Sequence, residues 1–156
     1  MAALLWLFTG LVALALPGQP AQAEARLTHY LGKVKPGDLV PGADRFGTPD
    51  GTPPIIAAYQ GDKRLGYVYL NTDFVGAAGY SGKPIRILVG VDTTGTVTGA
   101  KLVEHHEPIV LIGIPQRKIE GFLAGYRGFN PLKPVAAGGG APQVDIVSGA
   151  TVTVMV

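Results

Sequence analysis

The feature that most constrains the fold is a two-residue hydrophobic period that begins after residue 54. "IIAAYQ" (55–60) and "RLGYVYLNT" (64–72) follow this period and are separated by Gly61-Asp62, a turn-forming pair. "IRILVGVDTTGTVTGAKLVEH" (85–105) continues it on both sides of Thr94-Gly95. Alternating runs joined by short glycine turns predict antiparallel hairpins. The central part of the chain therefore predicts a small, mostly antiparallel sheet.

In two further stretches, the apolar residues have the spacing expected of a helix. "EARLTHYLGKV" (24–34) predicts a short amphipathic helix. "PQRKIEGFLAGYRG" (115–128) predicts a second, with Pro115 at its start, three apolar residues on one face and glycines at its end. Together with the sheet, these helices give an α+β fold: a small, mostly antiparallel sheet with helices packed on it.

The remaining segments are rich in proline and glycine or are very short. "KPGDLVPGADRFGTPDGTPP" (35–54) predicts an ordered loop or linker, and "KPVAAGGGAPQ" (133–143) predicts a flexible or tight loop. "VDIV" (144–147) predicts a last short strand. We divide the chain into residues 1–23, a helix and Pro/Gly-rich lead-in at 24–54, and one domain at 55–156.

Composition removes several classes of function. The 156 residues suffice for one domain with a real core. The chain has no cysteine, which excludes disulfides, thiolate catalysis, zinc–thiolate sites and iron–sulfur ligation within it. The net charge is +2, and the basic residues are scattered, with adjacent pairs at Lys63-Arg64 and Arg117-Lys118 alone. Without a basic stripe and interleaved aromatics, we do not expect nucleic-acid binding.

The N-terminus is continuously apolar, unlike the rest of the chain. Residues 2–16 read "AALLWLFTGLVALAL", a length that suits the apolar region of a signal peptide. Ala21-Gln22-Ala23 fits the small-residue cleavage rule, so residues 1–23 are predicted to be a signal peptide and Glu24 the first mature residue. No lysine or arginine precedes Arg26, which departs from the usual basic start. An uncleaved anchor or a buried helix is the alternative.

A small-residue motif, "DIVSGATVT", occupies residues 145–153. Gly149 and Ala150 let a ligand approach the backbone and leave amide N–H groups free to point outward. Ser148 and Thr151 add hydroxyls. If a helix follows, its N-terminus adds the positive end of a dipole, and the whole motif suits a phosphate. The alternative is an ordinary strand-to-helix turn with Ser148 as the N-cap. The β-branched residues that follow weaken the expectation of a helix.

Two other loops carry possible binding residues. "GYSGKP" (79–84) places Tyr80 between Gly79 and Gly82, where the ring could lie against a planar ligand or simply form part of a turn before Ile85. "EHHEP" (104–108) groups two histidines and two glutamates in the manner of metal ligands. Adjacent strand residues face opposite sides of a sheet, so His105 and His106 are not expected to share one metal. His29 is the only other histidine.

A hydrolase triad can also be assembled from the sequence. Its members would be Ser148, His106 and Asp145. The serine lacks the G-x-S-x-G turn that exposes such a nucleophile, so we do not favour hydrolysis.

Taken together, these loops resemble a known family. "GYSGKPIRILVGVDTTGTVTGAKLVEHHEP", the following "LIGIP" segment, a helix and then "DIVSGATVT" resemble the FMN-binding domain of RnfG, NqrC and NosR over residues 55–154. The pattern Asp145-x-x-Ser148-Gly149-Ala150-Thr151 is similar to the acceptor sequence of a flavin transferase. In RnfG and NqrC the loop after the hairpin resembles His-x-Glu-Thr-Pro-Gly-Leu-Gly, whereas this chain has "HHEPIVLIGIP". That departure and "PGADRFG" upstream are NosR-like.

The resemblance implies roles for individual residues. Thr151 would carry FMN through a phosphoester, and Ser148 with the amides of Gly149, Ala150 and Thr151 would hold the phosphate. Asp145 would be recognised by the flavin transferase. The flavin ring would be flanked by residues from both upstream loops: Gly79, Tyr80, Gly82, His106, Glu107, Pro108 and Leu111. The external transferase would supply the chemistry, so the threonine needs accessibility more than intrinsic reactivity.

The resemblance also implies a setting. The domain would be a flavin electron carrier, not a self-contained enzyme, in a NosR-like protein that supports nitrous oxide reduction. It would face the periplasm, attached to the inner membrane through transmembrane helices and followed by iron–sulfur modules. On this basis we expect the present chain to be truncated at its C-terminus. The alternative is a regulatory or binding module of the same fold without redox activity.

Overall fold

The fold is described from a computed structural model that covers residues 19–76, 78–108 and 113–133. Its elements, in chain order, are α1 (Gln19–Leu31), α2 (Pro36–Leu39), β1 (Arg45–Asp50), β2 (Ile55–Gln60), β3 (Lys63–Leu70), a 3₁₀ turn (Asn71–Asp73), β4 (Arg86–Asp92), β5 (Val97–Glu104) and α3 (Gln116–Ala124). The apolar N-terminal run and the predicted loop and strand at 134–147 lie outside the described residues.

The five strands form one antiparallel sheet in sequence order, β1-β2-β3-β4-β5. Each strand pairs with its neighbour along the chain, as expected for hairpins built from period-two sequence. Three of the four pairings contain a register shift, and the β3–β4 pairing has none. The predicted α+β class with a small antiparallel sheet is confirmed, as are both predicted hairpins.

The prediction of a loop or linker at residues 35–54 is wrong. The segment contains α2 and then β1, which pairs with β2 along the edge of the sheet. Gly47 and Pro49 within β1 gave the segment its loop-like composition. Proline is tolerated in an edge strand because one side of the strand lacks a neighbour, and the β1–β2 register shifts between Phe46 and Pro49.

The core lies between one face of the sheet and the two N-terminal helices. It contains Leu27 of α1, Leu39 of α2, and Val68 and Leu88 of the sheet, all fully buried. The backbone of α2 lies so close to β4 that a Cβ atom at Gly90 would be 2.3 Å from the Leu39 carbonyl oxygen. Glycine in β4 therefore permits the close packing of α2 on the sheet.

The turn between β4 and β5 is tied to the chain that follows α3. Asp92 accepts hydrogen bonds from the Thr94 N–H (2.8 Å) and the Thr96 N–H (3.0 Å). Burial alone would raise the pKa of the Asp92 carboxyl, but hydrogen bonds from Thr94 and Thr96 outweigh it and hold the pKa below its usual value. The buried Asn130 side chain donates to the Thr94 carbonyl oxygen at 3.0 Å. The chain therefore passes beside the start of β5 as it leaves α3.

The two longer helices occur near their predicted positions with different bounds. The first begins at Gln19 and ends at Leu31, before the predicted 24–34 span is complete. The second covers Gln116–Ala124 and is followed by turns up to Gly128, whose φ is +84°. Among the residues that the structure describes, no helix combines the length and apolar character needed to cross a bilayer.

Candidate functional site

The glycine-rich loop before β4 is a tight turn that presents an aromatic side chain. The Gly79 N–H donates to the Lys83 carbonyl oxygen (3.1 Å), and the Gly82 N–H donates to the Gly79 carbonyl oxygen (3.0 Å). Gly82 has φ +71°, a conformation that favours glycine. Tyr80, at the tip, is 75% exposed. The segment is thus a turn before β4 that also exposes the Tyr80 ring to solvent.

The Glu107 side chain holds the Gly79–Gly82 loop through hydrogen bonds. It is only 1% exposed, and its carboxylate accepts hydrogen bonds from the Tyr80 N–H (3.0 Å), the Ser81 N–H (3.3 Å) and the Ser81 hydroxyl (2.7 Å). Hydrogen bonds to a charged acceptor are stronger than those between neutral groups. The buried carboxylate therefore joins the Gly79–Gly82 loop to the segment after β5.

Gly79 is required by the same contact. A Cβ atom at this position would lie 2.2 Å from Glu107 Oε1 and 2.8 Å from Ile85 Cδ1. Only glycine lets the loop backbone approach the carboxylate this closely. The resemblance implied that Gly79 flanks the flavin ring, and the structure shows that its lack of a side chain makes room for Glu107.

Exposed apolar side chains are concentrated just before and within the loop. Phe74 is 48% exposed, Val75 58% and Tyr80 75%. Phe74 also contacts Tyr69 edge to face, with ring centroids 5.0 Å apart, and burial raises the pKa of the Tyr69 hydroxyl. Phe74 and Val75 are thus exposed apolar residues close in sequence to Tyr80.

A polar cluster lies where β5 ends. Glu104 accepts a hydrogen bond from the Tyr30 hydroxyl and forms an ion pair with Arg86, with 2.6 Å between Arg86 Nη1 and Glu104 Oε2. Half-exposed His106 lies nearby, its Nδ1 atom 3.9 Å from Glu104 Oε1. The cluster joins α1, β4 and β5 and places His106 next to the buried Glu107 along the chain.

The histidines differ from their predicted placement. The expected splaying of the two side chains depended on His105 lying within a strand, but β5 ends at Glu104 and both histidines follow it. His105 Nδ1 accepts a hydrogen bond from the Glu107 N–H at 3.4 Å. Within residues 19–76, 78–108 and 113–133, no group of three or more His, Asp or Glu side chains is arranged to hold a metal ion.

The structure brings together part of the predicted site. Gly79, Tyr80 and Gly82 lie in one turn, and Glu107 binds that turn directly. His106 and Pro108 flank Glu107 in the chain. The other predicted residues lie outside the described part of the chain: Leu111, Asp145, Ser148, Gly149, Ala150 and Thr151. Whether the acceptor motif meets the loop is therefore still a prediction.

Comparison with known proteins decides the family. Residues 79–156 match the FMN-binding domain family, a span that runs from the Tyr80 loop to beyond the acceptor motif. This chain belongs to the FMN-binding domain family. The resemblance inferred from the sequence motifs is confirmed.

Individual relatives agree with this assignment. The chain is 40% identical over 147 residues to the regulatory protein NosR of Pseudomonas aeruginosa, and 34% identical over 146 residues to the protein NirI of Paracoccus denitrificans. Each alignment covers 92% of this chain and 20% of the relative. A component of the ion-translocating oxidoreductase complex of Haemophilus influenzae is 38% identical over 79 residues, covering 48% of this chain and 38% of that component. The chain thus spans about a fifth of the length of NosR and NirI.

Two described residues, Tyr80 and Glu107, bear on how the chain could hold a flavin. The exposed Tyr80 ring provides a surface against which a planar aromatic group can stack. Glu107 was predicted to flank the flavin ring; its carboxylate is buried and accepts hydrogen bonds from Tyr80 and Ser81, and its contact with a flavin stays a prediction. Sequence reasoning missed Ser81. Its only signal was a hydroxyl residue between Tyr80 and Gly82, which is common in turns.

Proposed function

We propose that this domain is an electron carrier that holds FMN covalently through a phosphoester to Thr151. The observation that carries the proposal is the family match, because it includes both the Tyr80 loop and the Asp145–Thr151 motif. When bound, FMN supplies the redox chemistry, and the protein sets the environment of the flavin.

The attachment is a transfer of a flavin phosphate. An external flavin transferase would position an activated flavin nucleotide against the motif. The Thr151 oxygen–phosphorus bond would form as the phosphoanhydride bond of the donor broke, and the hydroxyl proton would leave with the released nucleotide. Ser148 and the amides of Gly149, Ala150 and Thr151 would hold the phosphate, and Asp145 would serve recognition by the transferase.

The described residues would contact the flavin ring or hold the residues that contact it. Tyr80 would stack against it, and Glu107 with Ser81 would hold the turn that presents Tyr80. Gly79 and Gly82 give that turn its backbone shape, and His106 and Pro108 continue the segment that carries Glu107. Leu111 would add an apolar contact from beyond the described part of this segment.

Replacing Tyr80 with alanine tests this arrangement. We expect a shift in the flavin absorption spectrum and midpoint potential while covalent attachment continues, because the ring contact is lost and the acceptor is untouched. Tyr126→Ala, which removes a tyrosine whose ring contacts Phe122 of α3, is the control. A Tyr80→Ala protein with the spectrum and potential of the parent would make Tyr80 a turn residue only.

The wider setting is also part of the proposal. A NosR-like context would place the domain in the periplasm, attached to the inner membrane and exchanging electrons with iron–sulfur modules during nitrous oxide reduction. The NosR relatives are named as regulatory proteins, which favours a second candidate: a module of the same fold that controls expression or maturation of nitrous oxide reductase without redox activity. A covalently bound, reversibly reducible flavin would separate the first from the second.

A further prediction concerns cleavage of the signal peptide during export. If residues 1–23 are a signal peptide, N-terminal sequencing of the periplasmic protein should begin at Glu24. An Ala23→Leu variant should accumulate as the longer precursor, because the cleavage rule needs a small residue there. A periplasm-facing protein that still carries Trp6 would indicate an uncleaved anchor.

A further inference from the structure

One side chain joins the two chain segments that flank the Gly79–Gly82 loop. Asn71, directly after β3, donates from Nδ2 to the Ile85 carbonyl oxygen at 3.0 Å. Its Oδ1 atom accepts a hydrogen bond from the Ile87 N–H at 2.8 Å. The Phe74 N–H also donates to the Asn71 carbonyl oxygen at 3.0 Å. The turn that leads into the loop and the strand that follows it are therefore fixed to each other.

Arg26 of α1 holds the turn that leads into the loop. Arg26 Nη2 donates to Asp73 Oδ1 at 2.6 Å, and the Asp73 side chain is only 2% exposed. Among the residues that the structure describes, none other than Arg26 donates to the Asp73 carboxylate, and Asp73 Oδ2 has no hydrogen-bond partner. Removing the cation from a buried ion pair leaves an uncompensated charge, which is strongly unfavourable. Asp73 therefore depends on Arg26 for its buried position.

Tyr30, one helical turn further along α1, holds the strand that follows the loop. Its hydroxyl donates to Glu104 Oε2, and Arg86 Nη1 lies 2.6 Å from the same oxygen. Arg86 is the first residue of β4 and directly follows Ile85. Since Arg26 and Tyr30 are four residues apart, they lie on the same side of the helix. One side of α1 therefore contacts both segments that flank the loop.

The helix itself is fixed by apolar packing. Leu27 is fully buried, Leu31 is 6% exposed, and both belong to the core between α1 and the sheet. Loss of the Arg26 guanidinium leaves these contacts in place. We therefore expect changes at Arg26 to loosen the turn at Asp73 while α1 stays on the sheet.

We propose that Arg26 and Tyr30 are positioning residues for the flavin, because they hold both ends of the segment that presents Tyr80. The inference rests on the proposed function, in which Tyr80 stacks against the flavin ring. A third contact supports it: Glu104, the acceptor for Tyr30, lies three residues before Glu107, whose carboxylate accepts a hydrogen bond from the Tyr80 N–H. Side chains of α1 thus reach the entry, the exit and the support of the loop.

Hydrogen exchange on the chain without flavin tests whether α1 holds the loop. In Arg26→Met, the amides of Phe74 and Tyr80 should exchange about tenfold faster than in the parent, because Asp73 is left buried without its cation. Amides of β2 should be unchanged, because local opening of the loop leaves the sheet paired. No acceleration at Phe74 and Tyr80, or equal acceleration in the loop and in β2, would overturn the proposal.

Two further variants separate the ion pair from general effects of substitution. Lys101→Met removes an exposed ion pair with Asp38, 3.2 Å long, and should match the parent. The double variant Arg26→Met with Asp73→Asn should recover part of the lost protection, because a neutral amide does not need the cation. Exchange in the double variant that is faster than in Arg26→Met would contradict the role of the ion pair.

Tyr30→Phe tests the second contact and removes only a hydroxyl. The amides of Ile87 and Tyr80 should exchange about threefold faster, as expected for the loss of one hydrogen bond to a carboxylate. Exchange at the parent rate would remove Tyr30 from the proposal.

The flavinylated protein tests the consequence for the cofactor. Arg26→Met should shift the flavin absorption spectrum in the same direction as Tyr80→Ala, whereas Lys101→Met should not shift it. An unchanged spectrum in Arg26→Met, in a protein whose mass includes the flavin, would overturn the positioning role. A parent chain without flavin would count against Thr151 alone, because hydrogen exchange is measured without flavin.

Discussion

Glu107→Ala is expected to lower the free energy of unfolding by about 2–4 kcal/mol, because it leaves the Tyr80 N–H, the Ser81 N–H and the Ser81 hydroxyl without their acceptor. Glu107→Gln should cost less, since it keeps the shape and one acceptor oxygen. Urea unfolding followed by circular dichroism measures both values.

The matched control is Glu120→Ala on the exposed surface of α3. Glu120 accepts one exposed hydrogen bond from Gln116 at 3.0 Å, so its removal should change stability by less than about 0.5 kcal/mol. Ser81→Ala should recover part of the Glu107→Ala loss in the double variant, because one of the orphaned donors is then absent. Equal stabilities of Glu107→Ala and Glu120→Ala would show that the loop is not held by the carboxylate.

The second large effect concerns covalent flavin. Thr151→Ala should abolish attachment completely, because the change removes the acceptor oxygen. The fold should be retained, because only a hydroxyl and a methyl group are lost. Thr151→Ser should keep some attachment, because the hydroxyl remains. Peptide mass mapping of residues 144–156, after co-expression with an exported flavin transferase, measures the outcome.

Two neighbouring hydroxyls serve as controls for this assignment. Thr153→Ala should leave attachment intact, because Thr153 lies two residues beyond Thr151 in the sequence, between Val152 and Val154. Ser148→Ala should reduce attachment without moving it, because Ser148 is proposed to hold the phosphate. Flavin on Thr153, or flavin retained by Thr151→Ala, would require a different acceptor.

The sheet could be predicted from sequence wherever the hydrophobic period was uninterrupted. The period-two runs gave β2 to β5 and both hairpins, because alternate burial repeats at the period of a strand. β1 was missed because Gly47 and Pro49 resemble a loop, and its place in the sheet depends on pairing with β2. α2 was missed because a single turn of helix, "PGDL", has no periodicity to detect.

The sequence allowed us to predict which residues form the candidate site, but not the structural role of each one. Tyr80 and Glu107 were identified from short motifs that lie 27 residues apart, and the structure places them in direct contact. The burial of Glu107 could not be predicted, because it depends on the turn at residues 79–83 folding over the segment after β5. The same contact gives Gly79 and Ser81 their roles. Both are consequences of tertiary packing, which local sequence does not encode.

The intact mass of the exported protein tests the central claim most directly. The protein should be produced with an active flavin transferase, and a second flavin-acceptor protein in the same cells should confirm that the transferase works. We predict that the denatured chain gains the mass of one FMN less one water, and that Thr151→Ala lacks this increase. An unmodified mass for the parent chain, beside a flavinylated control protein, would contradict the account.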